Sequence, residues 1–94
     1  MQVKVEFNAL TKQIAGIPEI YLSLPDKSTY RDVVRELGKR FPEMIGIIIA
    51  PDGETFLSSN LFAIDGDLAN PAMLMDVSPT DGERIQLLSV ITGG

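Results

Sequence analysis

The chain has 94 residues, 45% hydrophobic and 22% charged, an ordinary globular composition for one small domain that buries only about 60–65% of its unfolded surface. It contains no Cys and no His, which excludes disulfides, zinc ribbons, iron–sulfur ligation, Cys nucleophiles and His-based triads. A net charge of -5 and a pI near 4.5, without a Lys/Arg stripe, argue against nucleic acid as a partner and favour a basic protein.

The N-terminal "MQVKVEF" lacks the basic-then-apolar layout of a signal peptide, and the longest apolar stretch, around "MIGIIIA", is too short to cross a bilayer. A cytoplasmic location without membrane association is the expectation. "QVKVEF" alternates, with Val3, Val5 and Phe7 on one face, and reads as a half-buried strand. After "NALTKQIAGIP", "EIYLSL" repeats the pattern with Ile20, Leu22 and Leu24 inward, so the two early strands are expected to pair. Thr29 then precedes "YRDVVRELGKRF", where Asp32 can complete a capping box and Tyr30, Val33, Val34, Leu37 and Phe41 recur at helical spacing. Gly38 falls on the apolar face of this helix, which a close approach to a sheet would explain.

Pro42 stops the helix. Residues 43–50, "EMIGIIIA", fit a short buried helix or a strand equally well. "PDGE" reads as a turn, "NLFAID" as a short strand, and "GDLANPAMLMDVSP" as an irregular crossing anchored by Leu68, Met73 and Leu74. "TDGE" turns the chain into a last strand, "RIQLLSVI". The order is ββα, a crossover, then ββ. It predicts an α+β fold in which a mixed sheet of four to five strands packs on one main helix. That is the order of a β-grasp (ubiquitin-like) fold, with the last strand parallel to the first, and a single domain over residues 1–94 that ends in an extended flexible tail at 92–94.

In the last strand Ile85 and Leu87 alternate as core positions, which turns Arg84, Gln86, Leu88 and Val90 to the opposite face. Leu88 and Val90 are either capped by another element or form an apolar patch for a partner that also takes the tail. The chain then ends on Gly93 and Gly94. At about 7% usage per residue, consecutive terminal glycines are rare by chance; a truncated or frayed end is the alternative reading. Glycines reach backbone angles closed to other residues and thread narrow clefts, and at about 3.3 Å per residue "TGG" extends about 10 Å past the strand. The acidic "IDGD" and "PTDGE" read as turns, because "DGDLAN" lacks calcium-loop spacing, and no phosphate-binding glycine loop is present. The methionines of "PAMLMD" read as core filler.

Four stretches together resemble the ubiquitin-like sulfur carriers, closest to the small subunit of molybdopterin synthase and the archaeal-type ubiquitin-like modifiers: "VEFNALTKQIAG", "LFAIDGD", "SPTDGERIQLLSV" and the terminal "TGG". The last two form an almost unbroken match from Asp81 to Gly94, whereas "IDG" stands where relatives often have Asn before Gly, and the last strand lacks the Pro of many relatives. The resemblance implies that a ubiquitin-activating-like adenylating enzyme uses ATP to activate the Gly94 carboxylate, which a sulfur donor converts to a thiocarboxylate. Gly94 is then the reacting residue, with Gly93, Thr92, Ile91, Val90 and Leu88 as partner contacts, and with no metal or cofactor held by this chain. The sulfur acceptor implied is the large subunit of molybdopterin synthase, in molybdenum cofactor biosynthesis, the chain itself being a co-substrate and no enzyme alone. The alternatives are conjugation of the same carboxyl to lysines, as a protein modifier, and a non-covalent ubiquitin-like adaptor.

Overall fold

The first alternating stretch forms β1 (Gln2–Phe7), with Val3, Val5 and Phe7 buried, in a computed structural model that describes residues 1–8, 10–56, 60–69 and 73–89. It pairs antiparallel with β2 (Glu19–Ser23), Val3 opposite Leu22 and Val5 opposite Ile20. Between them lies a helix for which the sequence carries no periodic signal, α1 (Leu10–Ala15). It is six residues long, too short for an apolar period to show. Gly16, at φ +77°, closes it with its N–H on the Lys12 carbonyl oxygen, as a left-handed cap should.

The expected main helix is α2 (Tyr30–Arg40), and its start is fixed by Asp32, whose carboxylate accepts the Thr29 N–H at 2.8 Å. Tyr30, Val33, Val34 and Leu37 are buried against the sheet. The first-turn N–H groups of Tyr30 and Arg31, which have no partner inside the helix, donate to the carbonyl oxygens of Val77 and Met75. That requirement corrects the reading of the crossing. Met75 is drawn into the core, Leu74 is partly buried, and Met73 and Leu68 are 78% and 68% exposed, so they anchor nothing.

Leu68 is exposed because residues 67–69 are a strand. After β3 (Asn60–Ile64), Asp65 and Gly66 adopt φ of +49° and +92°, the mirror-image turn that suits a two-residue hairpin, and β4 (Asp67–Ala69) returns with Leu68 opposite Ala63. The final strand, β5 (Arg84–Ser89), runs parallel to β1 and antiparallel to β3, giving a five-stranded sheet in the order β2-β1-β5-β3-β4. This is the mixed sheet of a β-grasp fold, with the last strand beside the first as expected.

The ambiguous apolar run is neither a regular helix nor a strand. A 3-10 turn at Pro42–Met44 leads into a knot in which the Met44 carbonyl oxygen accepts from the amides of Ile47, Ile48 and Ile49. Met44, Ile48 and Ile49 are fully buried, and Phe41 meets Phe7 edge-to-face at 5.4 Å. Gly38 faces this knot and not the sheet: a Cβ there would lie 3.5 Å from Ile45 Cδ1 and 3.8 Å from Ile49 Cδ1, ordinary van der Waals contact. Gly38→Ala should therefore stabilise the domain by up to about 1 kcal/mol in chemical denaturation, since the helical backbone gains and nothing has to move.

A buried polar pair ties α2 to the start of β5. The Tyr30 hydroxyl donates to Glu83 Oε2, and Glu83 Oε1 accepts from the Thr80 N–H at 3.3 Å. Burial pushes the Tyr30 phenol up, and the Glu83 carboxylate beside it adds to the shift. Because the folded-state pKa is raised, this stabilisation is complete below the unfolded phenol's pKa of about 10 and is lost as the pH rises from there through the folded value. Tyr30→Phe should cost about 1.5–3 kcal/mol at neutral pH, and urea titrations should show the wild-type advantage narrowing above about pH 10.

Candidate docking face and the exit of the chain

Strand β5 occupies the middle of the sheet and is held at both ends. At its start the Arg84 N–H donates to Asp65 Oδ1 at 3.0 Å, the Asp65 N–H donates to the Arg84 carbonyl oxygen at 2.8 Å, and the Lys4 N–H donates to that of Glu83 at 2.9 Å. Gly82, at φ +83°, donates its N–H to the Gln2 carbonyl oxygen, while Asp81 accepts the Gln2 N–H at 2.7 Å. Near its far end the fully buried Thr11 hydroxyl donates to the Asn8 carbonyl oxygen at 2.8 Å, with the Leu87 carbonyl oxygen within 3.3 Å. Thr11 thus ties α1 to β5 near the strand's C-terminal end. The sequence pass missed it; the available signal was the Asn8-x-x-Thr11 spacing, which lets a hydroxyl close a turn on the backbone.

The two faces of β5 differ as alternation requires. Ile85 and Leu87 are buried against the core, while Arg84, Gln86 and Leu88 point to the other face of the sheet. On the β1–β2 side that face is an ionic lattice. Lys4 Nζ lies 2.8 Å from Glu19 and 3.5 Å from Glu6, and sits 5.9 Å from the centre of the Tyr21 ring. Gln86 Nε2 donates to Glu6 Oε1 at 3.0 Å, and Arg84 Nε lies 4.0 Å from Glu6 Oε2. The hydrogen bond to the Glu19 carboxylate is the main cause of an upward shift in the Lys4 pKa.

Across β5 the same face turns apolar. Leu88 is half-buried opposite Leu61, Ala63 is 3% exposed opposite Gln86, and the exposed Leu68 follows on β4. Leu68 lies in the row Gln86–Ala63–Leu68, two residues along from the Leu88–Leu61 pair and across β3 from β5; it is exposed on this face, whereas the sequence reads as making it an anchor of the crossing. Val90, Ile91, Thr92, Gly93 and Gly94 lie outside the described residues. Among the described residues, no group of acidic side chains is arranged to hold a metal ion, and no helix is long and apolar enough to cross a membrane.

A model of the ThiS family matches residues 5–94, from within β1 to the last glycine. The chain belongs to the ThiS family. No curated protein sequence matches it significantly. Among solved structures, this ThiS-family chain is similar to the small archaeal modifier protein SAMP1 of Haloferax volcanii, at 17% identity and a TM-score of 0.83 over 100% of both chains. It is also similar to the putative molybdopterin converting factor subunit 1 of Pyrococcus furiosus, at 24% identity and 0.75 over 96% of this chain and 99% of that one. A third likeness is to the complex of subunits 1 and 2 of the molybdopterin-converting factor of Helicobacter pylori, at 19% identity and 0.56 over 100% of both chains. The membership agrees with the resemblance drawn from the four sequence stretches: the fold is ubiquitin-like and the family is that of the ubiquitin-like sulfur carriers.

The alternation of β5 yields a contrast between neighbours. Leu87→Asp should abolish cooperative folding, because it puts a charge in the core between β1 and β3. Leu88→Asp should leave the thermal midpoint nearly unchanged. Circular dichroism melts of the two variants would show the reverse order if the face assignment were off by one residue.

Proposed function

We propose that the protein is a sulfur carrier whose functional group is the C-terminal carboxylate of Gly94. The observation that carries this reading is a Gly93–Gly94 terminus that closely follows the central strand of a ThiS-family chain. A carboxylate is a poor acyl donor. A ubiquitin-activating-like adenylating enzyme supplies the driving force: the carboxylate oxygen attacks the α-phosphorus of ATP, pyrophosphate leaves, and an acyl-adenylate results. Attack of a sulfide-level nucleophile on the acyl carbon expels AMP and leaves a thiocarboxylate. The chain contributes no acid or base to these steps; it presents a terminus without side chains that a partner's active site can surround.

Thr92 and Gly93 act as the spacer that enters the partner, and Leu88, Val90 and Ile91 as the apolar contacts beside it. The sulfur acceptor we favour is the large subunit of a molybdopterin synthase, a cytoplasmic reaction of molybdenum cofactor biosynthesis. Likeness to a molybdopterin converting factor subunit 1, and to one in complex with its subunit 2, supports that choice. Likeness to SAMP1 supports the second reading, transfer of the same activated carboxyl to a lysine amine as a protein modifier.

Incubation with the adenylating enzyme, ATP and sulfide should give an intact mass raised by the exchange of one oxygen for sulfur, located at Gly94 by fragmentation. The variant lacking Gly94 should melt at the wild-type temperature and take up no sulfur. Sulfur uptake by that variant, or sulfur on an internal residue, would defeat the proposal, and conjugates formed without thiocarboxylate would favour the modifier reading. Burying a Leu side chain contributes about 1.5–3 kcal/mol, so Leu88→Asp should weaken binding of the adenylating enzyme at least about tenfold.

A further inference from the structure

The sheet has two edges, and only one is blunted. β4 is three residues long, too short to template another strand, whereas β2 runs for five residues with no proline and no bulge between Pro18 and Pro25. The hydrogen-bond pattern fixes which of its backbone groups are available. Leu24 and Met1 exchange bonds at 2.8 and 2.7 Å, and Phe7 N–H donates to the Pro18 carbonyl oxygen at 2.8 Å. In an antiparallel pair these groups alternate, so Ile20 and Leu22 also point to β1, and the N–H and C=O of Glu19, Tyr21 and Ser23 point away from the sheet. None of the described residues pairs with those outward groups. Tyr21 itself is 56% exposed.

Between the end of β2 and α2 lies a cleft of about 480 Å³, lined by Leu24, Lys27, Asp32, Arg35 and Lys39 among others. Its acidic groups already have cation partners: Asp32 lies 3.6 Å from Arg35, Glu36 lies 3.2 Å from Arg40, and Asp26 lies 3.4 Å from the terminal amine. Arg35 is held by Glu54 at 2.7 Å. The lining carries as many carboxylates as cations, and Lys27 and Lys39 are the two of its charges left without an opposite partner among the described residues.

We propose that β2 is a docking edge for an extended, acidic segment of a partner protein, which adds a strand by pairing with Glu19, Tyr21 and Ser23 and sets its carboxylates against Lys27 and Lys39. Main-chain bonds supply the attachment, and the half-buried Ile20 and Leu24 offer apolar contact to alternate side chains of the incoming strand. Lysines left unpaired beside an open edge select the acidic partner over a basic one.

The test uses the full chain, labelled with ¹⁵N, and two short synthetic peptides of alternating valine and threonine, one ending in glutamates and one in lysines. The glutamate peptide should shift the amides of residues 19–23, slow their hydrogen exchange, and bind at least about tenfold more tightly than the lysine peptide. The double variant Lys27→Glu, Lys39→Glu, whose positions are exposed, should keep the fold and reverse that preference. Tyr21→Pro removes an outward N–H without breaking a bond to β1, and should abolish binding. Equal binding of the two peptides, no binding of the glutamate peptide, or shifts centred on Gln86 and Leu88 would overturn the proposal. So would dimerisation through the same amides without peptide, which would assign the edge to a second copy of the chain.

Discussion

The structure depends on β5 being paired on both sides. Its parallel bond to β1 joins residues at opposite ends of the chain, as the Gln86–Glu6 contact across 80 positions illustrates, so the domain closes only when its first and last strands meet. With β3 on the other flank, a slip of one residue would expel Ile85 and Leu87 from the core and bury Gln86. The Asp65 and Asp81 turns at its start and the Thr11 hydroxyl near its end hold the register against that slip. A strand locked at both ends gives the residues beyond it a fixed point of departure.

That lock also explains how one sheet face can carry two chemistries. Lys4 and Arg84 are set against Glu6 and Glu19 on the β1–β2 side, so the charges there largely neutralise one another. Exposed pairs of this kind contribute little to stability, about 0–1 kcal/mol each. Their effect is on recognition, because a partner reaching Leu88 meets an ordered polar border on the β1–β2 side.

What could be read in the sequence was whatever one local signal decides. Val3, Val5 and Phe7, the Thr29–Asp32 cap with Val33, Val34 and Leu37 behind it, and the alternation of Ile85 with Leu87 each follow from period or capping alone, and together they specify the β-grasp order. Misreadings arose where the burial of a side chain is decided by a distant backbone group. Met75 is buried because α2 needs acceptors for its first N–H groups, and Leu68 is exposed because the Asp65–Gly66 turn sets it opposite Ala63. Gly38 showed that something approaches the helix but not what: the neighbour is the turn knot of Ile45 and Ile49, whose conformation the apolar run itself left undetermined.

The order of the strands separates the surfaces in a way that bears on how a carrier would work. Neighbouring strands lie about 4.8 Å apart, so β2, two places from β5, is about 10 Å from the strand that leads to the tail, and a strand added outside it would be about 15 Å away. A segment bound at that edge would cover neither Leu88 nor Leu68. The edge and the face are therefore compatible with simultaneous occupancy, and a protein tethered at β2 would raise the effective concentration of the tail at its own active site without competing for the docking face. A carrier that must visit an activating enzyme and then an acceptor gains from this arrangement, because a weak hold at one edge can persist while the apolar face changes partners. The short β4 fits the same logic: it leaves Leu68 exposed on the face, across β3 from β5, and is too short to offer a second edge on which another strand could lodge.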